Sequence, residues 1–251
     1  MCELPQKSNR AGKKLIEWIH PECKLKLGSL FSGGKDSTFA IYKAKSEGHD
    51  ISCLVTVFPK SEESHLLHHP NIGLTVLQAK AMNIPQITVG LDSDDTRIEV
   101  DNLKKALKTA KEQFGIEGVV HGGIRSAFQK NHFETICRSM NLGVFAPLWN
   151  VNETSYLREL VQSGFEFIIT SVTAQGLDDS WLGKEITMSD VEKLIAMASK
   201  FGFNASFEGG EAETFVVSCP LFSGRIKIIK SNKIWDGYRG RFEITEAVLE
   251  E

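Results

Sequence analysis

Residues 30–39, LFSGGKDSTF, decide the fold. They join an apolar run to a helical pattern through Ser32, Gly33, Gly34, Lys35, Asp36 and Ser37. Two glycines at such a junction can take φ > 0 and let a ligand approach the backbone. Free N–H groups at a helix start, aided by the helix dipole, form an anion site. Ser32 and Ser37 add hydroxyls, and Lys35 adds a cation. Asp36 is foreign to a phosphate cradle unless it handles a magnesium ion or a water. A Walker A loop requires Gly-x-x-x-x-Gly-Lys-Ser/Thr. Here Ser29 stands where the first glycine belongs, and Asp36 follows the lysine. The competing reading is an ordinary tight turn with solvated charges.

Outward from this turn a rhythm repeats. KLKLGSLF (24–31) reads as a strand and residues 37–48 as a helix; ISCLVTVF (51–58) reads as a buried strand. A helix over 73–82 and the strand PQITVG (85–90) follow. Residues 96–114 carry Ile98, Val100, Leu103, Ala106, Leu107 and Ala110 at helical spacing. The strand GVVHGG (118–123), a helix over 126–140 and the strand GVFAPLW (143–149) complete the series. This alternation predicts an α/β fold, a parallel sheet flanked by helices on both faces. Right-handed crossovers place every strand's carboxyl end on one rim, where ligands bind.

Beyond Trp149 the rhythm changes. A helix over 154–163, the strand FEFIITSV (165–172) and a helix over 189–201 precede TFVVSC, RIKIIKS, KIWD and RFEIT, four strands separated by turns. Ser189 and Glu192 have capping-box spacing. The expected division is an extension over 1–26, an ATP-binding domain over 27–147, and a smaller C-terminal mixed α/β region over 148–251 carrying substrate and catalytic groups.

Composition narrows the function classes. A net charge of −3 over 251 residues supplies no basic field for nucleic acid. The five cysteines, Cys2, Cys23, Cys53, Cys137 and Cys219, are scattered and odd in number. They form no Cys-x-x-Cys, so neither a zinc site nor a disulfide framework is expected. A reducing compartment fits them. The start lacks an apolar signal core, and residues 51–58 are too short to span a bilayer. A cytoplasmic protein without a membrane anchor is expected; homo-oligomerisation stays open.

Three further stretches carry chemistry. EESHLLHHPN (62–71) holds His65, His68 and His69, whose spacing gives no clear metal geometry. Residues 122–149 begin with a second Gly-Gly between a strand and a helix. FEGGEAETFVVSCPLF (207–222) crowds Glu208, Glu211 and Glu213 around two glycines. A solvated acidic loop competes there with close approach to a ligand or Mg²⁺.

SGGKDS resembles the PP-loop of the ATP pyrophosphatases, which cleave ATP to AMP and pyrophosphate and adenylate a substrate oxygen. With GLDDSWLG (176–183) and EGGEAET (208–214), the chain is similar to the diphthine–ammonia ligase family in its archaeal-type form, from about 27 to 246. The resemblance implies an adenine nucleotide alpha hydrolase-like, Rossmann-like fold. It implies adenylation of the carboxylate of diphthine, the modified histidine of translation elongation factor 2. Ammonium then gives diphthamide, AMP and pyrophosphate, with Mg²⁺–ATP as cofactor. By motif, Ser32, Gly33, Gly34, Lys35, Asp36 and Ser37 bind ATP, with Val55 and Gly122 beside the nucleotide and Asp36 as a magnesium contact. Glu63, His68, Asn71, Ser126, Gln129 and Glu211 handle the substrate. Lys35, Asp36, Glu211 and Glu213 are the catalytic candidates; the two glutamates form an anionic pocket suited to ammonium and to a trimethylammonium group.

Two departures stand out. Ala212 replaces a common aromatic, which removes a cation–π contact at that point. His132 replaces a usual arginine. Cys2 follows the initiator methionine as a glutaminase nucleophile would, but the scaffold for that chemistry is missing, so free ammonium is the expected source. The alternatives are a tRNA-modifying PP-loop ligase, disfavoured by the charge, and a non-catalytic ATP-binding regulator, which the fold alone does not exclude.

Overall fold

The computed structural model describes residues 24–58, 71–91 and 95–250. Five parallel strands, β1 (Lys26–Leu30), β2 (Asp50–Phe58), β3 (Gln86–Gly90), β4 (Gly118–Val120) and β5 (Gly143–Phe145), form one sheet. Their order is β3-β2-β1-β4-β5. Strand order reverses between β1 and β4, which places a crevice at their carboxyl ends. β2 is buried along nearly its whole length, as the continuous apolar run requires.

Helices cover both faces. On one side α3 (Thr96–Phe114) and α4 (Ala127–Ser139) bury Leu103, Ala106, Leu107, Phe133 and Ile136 against Val55, Val57 and Val119. α3 begins where the Asp95 carboxylate accepts from the Arg97 N–H and ends at Gly115, φ +64°. On the other side lie α1 (Lys35–Ser46) and α2 (Thr75–Met82), the latter after a short 3₁₀ turn. Phe39 of α1 is fully buried and meets Phe165 edge-on at 5.1 Å. Truncating such an aromatic costs about 3–5 kcal/mol.

The second sheet is antiparallel, in the order β7-β6-β9-β8. It contains β6 (Glu166–Val172), β7 (Ala212–Ser218), β8 (Arg225–Trp235) and β9 (Gly240–Glu250), flanked by α5 (Glu153–Gln162) and α6 (Met188–Phe201). One hydrophobic cluster runs from Leu27 and Phe39 through Leu157 and Phe167 to Val216 and Cys219. The two regions therefore share a core rather than meeting through a linker.

Three local expectations are corrected. The capping box of α6 is Thr187 with Asp190, not Ser189 with Glu192, because Thr187 has the extended backbone and accepts from the Asp190 N–H. RIKIIKS and KIWD are one strand; the polar Ser231 and Asn232 fall beside ladder irregularities, where β8 keeps its pairing to β9. GVFAPLW contributes only a three-residue strand. Among the described residues no helix is long and apolar enough to cross a membrane. The thiols of Cys53, Cys137 and Cys219 are buried, and burial foremost pushes them up to about 11, 12 and 12.

Candidate active site at the carboxyl rim

The turn after β1 leads directly into α1. Gly33 takes φ +82°, and Gly34 is the extended residue that opens α1. The Ser32 N–H reaches the Ser37 hydroxyl at 3.3 Å, and the two serine hydroxyls lie 3.2 Å apart. A β-carbon on Gly33 would sit 2.3 Å from Gln78 Oε1. Gln78, fully buried on α2, donates to the carbonyls of Gly33 (2.9 Å) and Val216 (2.8 Å). The loop is thus held from the second sheet as well as from its own helix.

Lys35 is 2% exposed. Its ammonium donates to Asp36 Oδ1 (3.0 Å), Asp36 Oδ2 (2.8 Å) and the Ser206 carbonyl (2.6 Å). Its backbone N–H donates to Thr214 Oγ1 on β7 at 3.1 Å. Asp36 also accepts from the Tyr156 hydroxyl of α5, Oδ1 at 2.5 Å. Burial first, then the charge of and hydrogen bond to Asp36, hold the Tyr156 phenol well above its ordinary value, so it is a donor at any working pH.

The second Gly-Gly, after β4, packs directly on the first turn. A β-carbon on Gly122 would lie 2.4 Å from the Asp36 carbonyl carbon. Gly122 is therefore a point of backbone-to-backbone approach between the two loops. Beyond it, Glu208 Oε1 accepts from the N–H groups of Ile124, Arg125 and Ser126 at 3.0, 3.1 and 3.2 Å. The N–H groups at the start of α4 thus form a nest that holds an internal carboxylate. Burial, then the charge of Asp36, raises the Glu208 carboxyl, while the three N–H bonds pull it back. His121, 2% exposed, accepts from the Gly123 N–H through Nδ1. Burial, with the Lys130 charge second, pushes it to about 4, so it stays neutral.

The loop that carries Glu208 is stiff. Glu211 accepts from the N–H groups of Asn204 (2.9 Å) and Gly209 (2.8 Å), so both its oxygens fasten their own loop. Asn204 binds Ser206 and reaches Glu153, which pairs with Arg125 at 3.1 Å. Phe207 adopts φ +66°, a conformation disfavoured outside glycine and asparagine.

The other sequence candidates scatter. Ser32, Gly33, Gly34, Lys35, Asp36, Ser37 and Gly122 meet at the rim, with Ser126 at the nest. Val55 is 2% exposed inside the α3/α4 core, and its carbonyl takes the Phe31 N–H, so its side chain faces no ligand crevice. Asn71 binds the backbone of Phe242 and Ile244. Glu213 lies in β7 opposite Ser171. His132 sits half-buried on α4, and Gln129 belongs to that helix, its side chain outside the described residues. Glu63, the three histidines 65, 68 and 69, and Cys2 lie outside the described residues. Ala212 is 4% exposed within the core, so packing closes that position to a cation cage. Sequence reading missed Tyr156, Ser206, Thr214 and Gln78, and assigned no role to Glu208. Only Glu208 carried a signal, its place beside Gly209 and Gly210.

Among the described residues no group of three or more His, Cys, Asp or Glu could cage a metal ion. A magnesium ion bound with nucleotide needs no such cage; it takes one or two carboxylates plus phosphates. Asp36 fits. Oδ1 already accepts from Lys35 and Tyr156, whereas Oδ2 accepts from Lys35 alone. A carboxylate oxygen has two lone-pair positions, so one remains on Oδ2.

A PP-loop against an acidic C-terminal loop, on a parallel sheet joined to an antiparallel one, agrees with the comparisons. The Diphthamide synthase N-terminal domain family matches residues 25–144, and the Diphthamide synthase C-terminal domain family matches residues 152–249. The rat diphthine–ammonia ligase is 35% identical over 229 residues, 84% of this chain and 85% of that protein. The human diphthine–ammonia ligase has the same identity and coverage. A solved structure described as a predicted subunit of tRNA methyltransferase from Methanocaldococcus jannaschii aligns with TM-score 0.40 and 18% identity, covering 78% of this chain and 98% of that one, a likeness too weak to bear on function. The chain belongs to the diphthamide synthase family of diphthine–ammonia ligases.

Proposed function

We propose that this protein amidates diphthine on translation elongation factor 2, using ATP and ammonium and releasing AMP and pyrophosphate. One observation supports this above the others. The two signature stretches, over 170 residues apart in sequence, meet where the Lys35 backbone N–H donates to Thr214 Oγ1 at 3.1 Å, and the Lys35 ammonium reaches the Ser206 carbonyl just ahead of the second stretch at 2.6 Å. A nucleotide sensor has no need of that acidic loop at its phosphate turn.

The substrate carboxylate is a poor electrophile, and transfer of AMP to it provides a leaving group. Backbone N–H groups of the glycine turn, with the Ser32 and Ser37 hydroxyls, hold the departing pyrophosphate. Donors fixed before reaction stabilise developing charge without reorganising. Magnesium, when bound with the nucleotide, supplies positive charge at the phosphates, and Asp36 Oδ2 is the oxygen that would hold it. Lys35 acts from beneath, neutralising Asp36 and tying the turn to the acidic loop. Glu208, Glu211 and Glu213 give the crevice a negative field that favours ammonium and the trimethylammonium group of diphthine. Ammonia then attacks the activated carbonyl, AMP leaves, and the amide remains.

The test mixes the protein with Mg²⁺–ATP, ammonium and elongation factor 2 carrying diphthine. AMP release that needs both acceptors, with the intact-mass change of carboxylate to amide, is expected. AMP release with an unchanged factor would redirect the chemistry to another acceptor. ATP binding without cleavage would leave a regulator.

A further inference from the structure

We propose that Tyr156 is a positioning residue for the ligase reaction: its hydroxyl, donated to Asp36 Oδ1, fixes which carboxylate oxygen is left for the metal of Mg²⁺–ATP. This rests on reading Asp36 as the metal-facing carboxylate.

Packing explains the ring but not the hydroxyl. Tyr156 is 2% exposed, and its ring lies 5.7 Å from that of Phe39 in an aromatic cluster with Phe165. Phenylalanine would fill that space. A buried phenol needs a hydrogen-bond partner, and here the partner is a charged side chain 120 positions earlier, at 2.5 Å. Lys35 alone would leave the carboxylate symmetric, since its ammonium touches both oxygens, at 3.0 and 2.8 Å. The Tyr156 bond breaks that symmetry. It fills Oδ1 and leaves the uncommitted position on Oδ2. It also ties the carboxylate's rotation to α5, whose buried face of Tyr156, Leu157 and Leu160 anchors it in the shared core. Partners that orient a metal-binding carboxylate in this way typically carry about 10–100-fold of metal affinity or activity.

The test uses Tyr156→Phe in the full chain, with ATP affinity measured by calorimetry with and without Mg²⁺. The expected result is an affinity for Mg²⁺–ATP lowered about 10–100-fold, with affinity for metal-free ATP unchanged and the fold retained. The Mg²⁺ concentration for half-maximal turnover should rise by the same factor. Adding Tyr156→Phe to Asp36→Asn should cost nothing further. Equal losses with and without metal, or no loss, would overturn the proposal. Full Mg²⁺–ATP affinity in Asp36→Asn would instead remove the reading of Asp36 and the proposal with it. A second measurement does not depend on the variant's folding. The chain has three tyrosines, Tyr42, Tyr156 and Tyr238. With ¹³Cζ-tyrosine labelling, and Tyr42→Phe and Tyr238→Phe for assignment, the Tyr156 resonance should move on addition of Mg²⁺–ATP and not of ATP alone. A resonance indifferent to the metal would also overturn the assignment.

Discussion

The two glycine turns at the reversal of strand order share one local syntax and end differently. After β1, Ser32–Gly34 leads into α1 with its donors met by hydroxyls, Ser37 for Ser32 and Thr214 for Lys35. After β4, the N–H groups of residues 124–126 are filled by the Glu208 carboxylate. A hydroxyl partner is neutral and yields to an arriving phosphate; a carboxylate repels one. Under the proposed function the first turn is the nucleotide cradle; the second is an anchor for the acidic loop. A strand, two glycines and a helix do not distinguish these outcomes, because the occupant of the second nest arrives from 82 to 84 residues downstream.

The largest effects should strike the first turn. Lys35→Met and Asp36→Asn should each lower turnover by about 10²–10³-fold, the usual loss for one preorganised charge-stabilising group. Steady-state AMP formation reads this. Lys35→Met also strands the Ser206 carbonyl and should reduce stability by about 1–3 kcal/mol in denaturant melts. A stable Lys35→Met with wild-type turnover would break the comparison at its stronger side.

Gly122→Ala should come next. Its β-carbon meets the fixed backbone of Asp36 at 2.4 Å, so the two turns must separate, whereas the clash in Gly33→Ala is with a side-chain end. Overpacking of this kind costs about 1–3 kcal/mol, and ATP affinity should fall with it. Calorimetry checks both.

Glu208→Ala should open the second nest and loosen the loop, costing about 1–3 kcal/mol for the unpaired donors. Added phosphate should then protect the variant against heat more than it protects the wild type, whose second nest is already filled. The pH dependence has a definite sign. The folded carboxyl of Glu208 is raised above its unfolded value. Its stabilising contribution is therefore full below the ordinary glutamate range and is lost as pH rises through the raised folded value. Glu208→Gln should remove that slope.

Away from both turns the effects shrink. Burial pushes Asp190 up, but hydrogen bonds from Lys184 and Thr187 outweigh it and hold the carboxyl at about 2. Its contribution is present above the ordinary aspartate value and lost as pH falls through about 2. Asp190→Ala removes the acidic half of the capping box; it should cost about 0.3–1 kcal/mol and flatten the acid limb of the melting curve. The Arg158–Glu192 pair lies on the surface. Arg158→Gln should leave the melting temperature and turnover unchanged, the control for all the others.

The legible part of the site was local. SGGKDS stood out as a candidate because it sets two glycines, N–H groups, hydroxyls and charge within six residues. Glu211 looked catalytic for the same local reason, yet both its oxygens bind N–H groups of its own loop. The capping box of α6 was misplaced by two residues because Ser189 and Thr187 both suit that position, and the backbone at the preceding turn selects Thr187. Tyr156 gave no signal, since an aromatic at helical spacing reads as core, and its ring is core.

The sequence by itself determined the alternation of elements and the parallel sheet, which follow from periodicity, and the family, through the resemblance carried by SGGKDS, GLDDSWLG and EGGEAET. Only the tertiary structure decided that Lys35 is buried beneath the turn, that Glu208 fills the second nest, and that Tyr156 grips Asp36. Those contacts join groups 82 to 171 positions apart. Their partners are chosen by the shared core that brings the second sheet against the first, and no local pattern of residues encodes that approach.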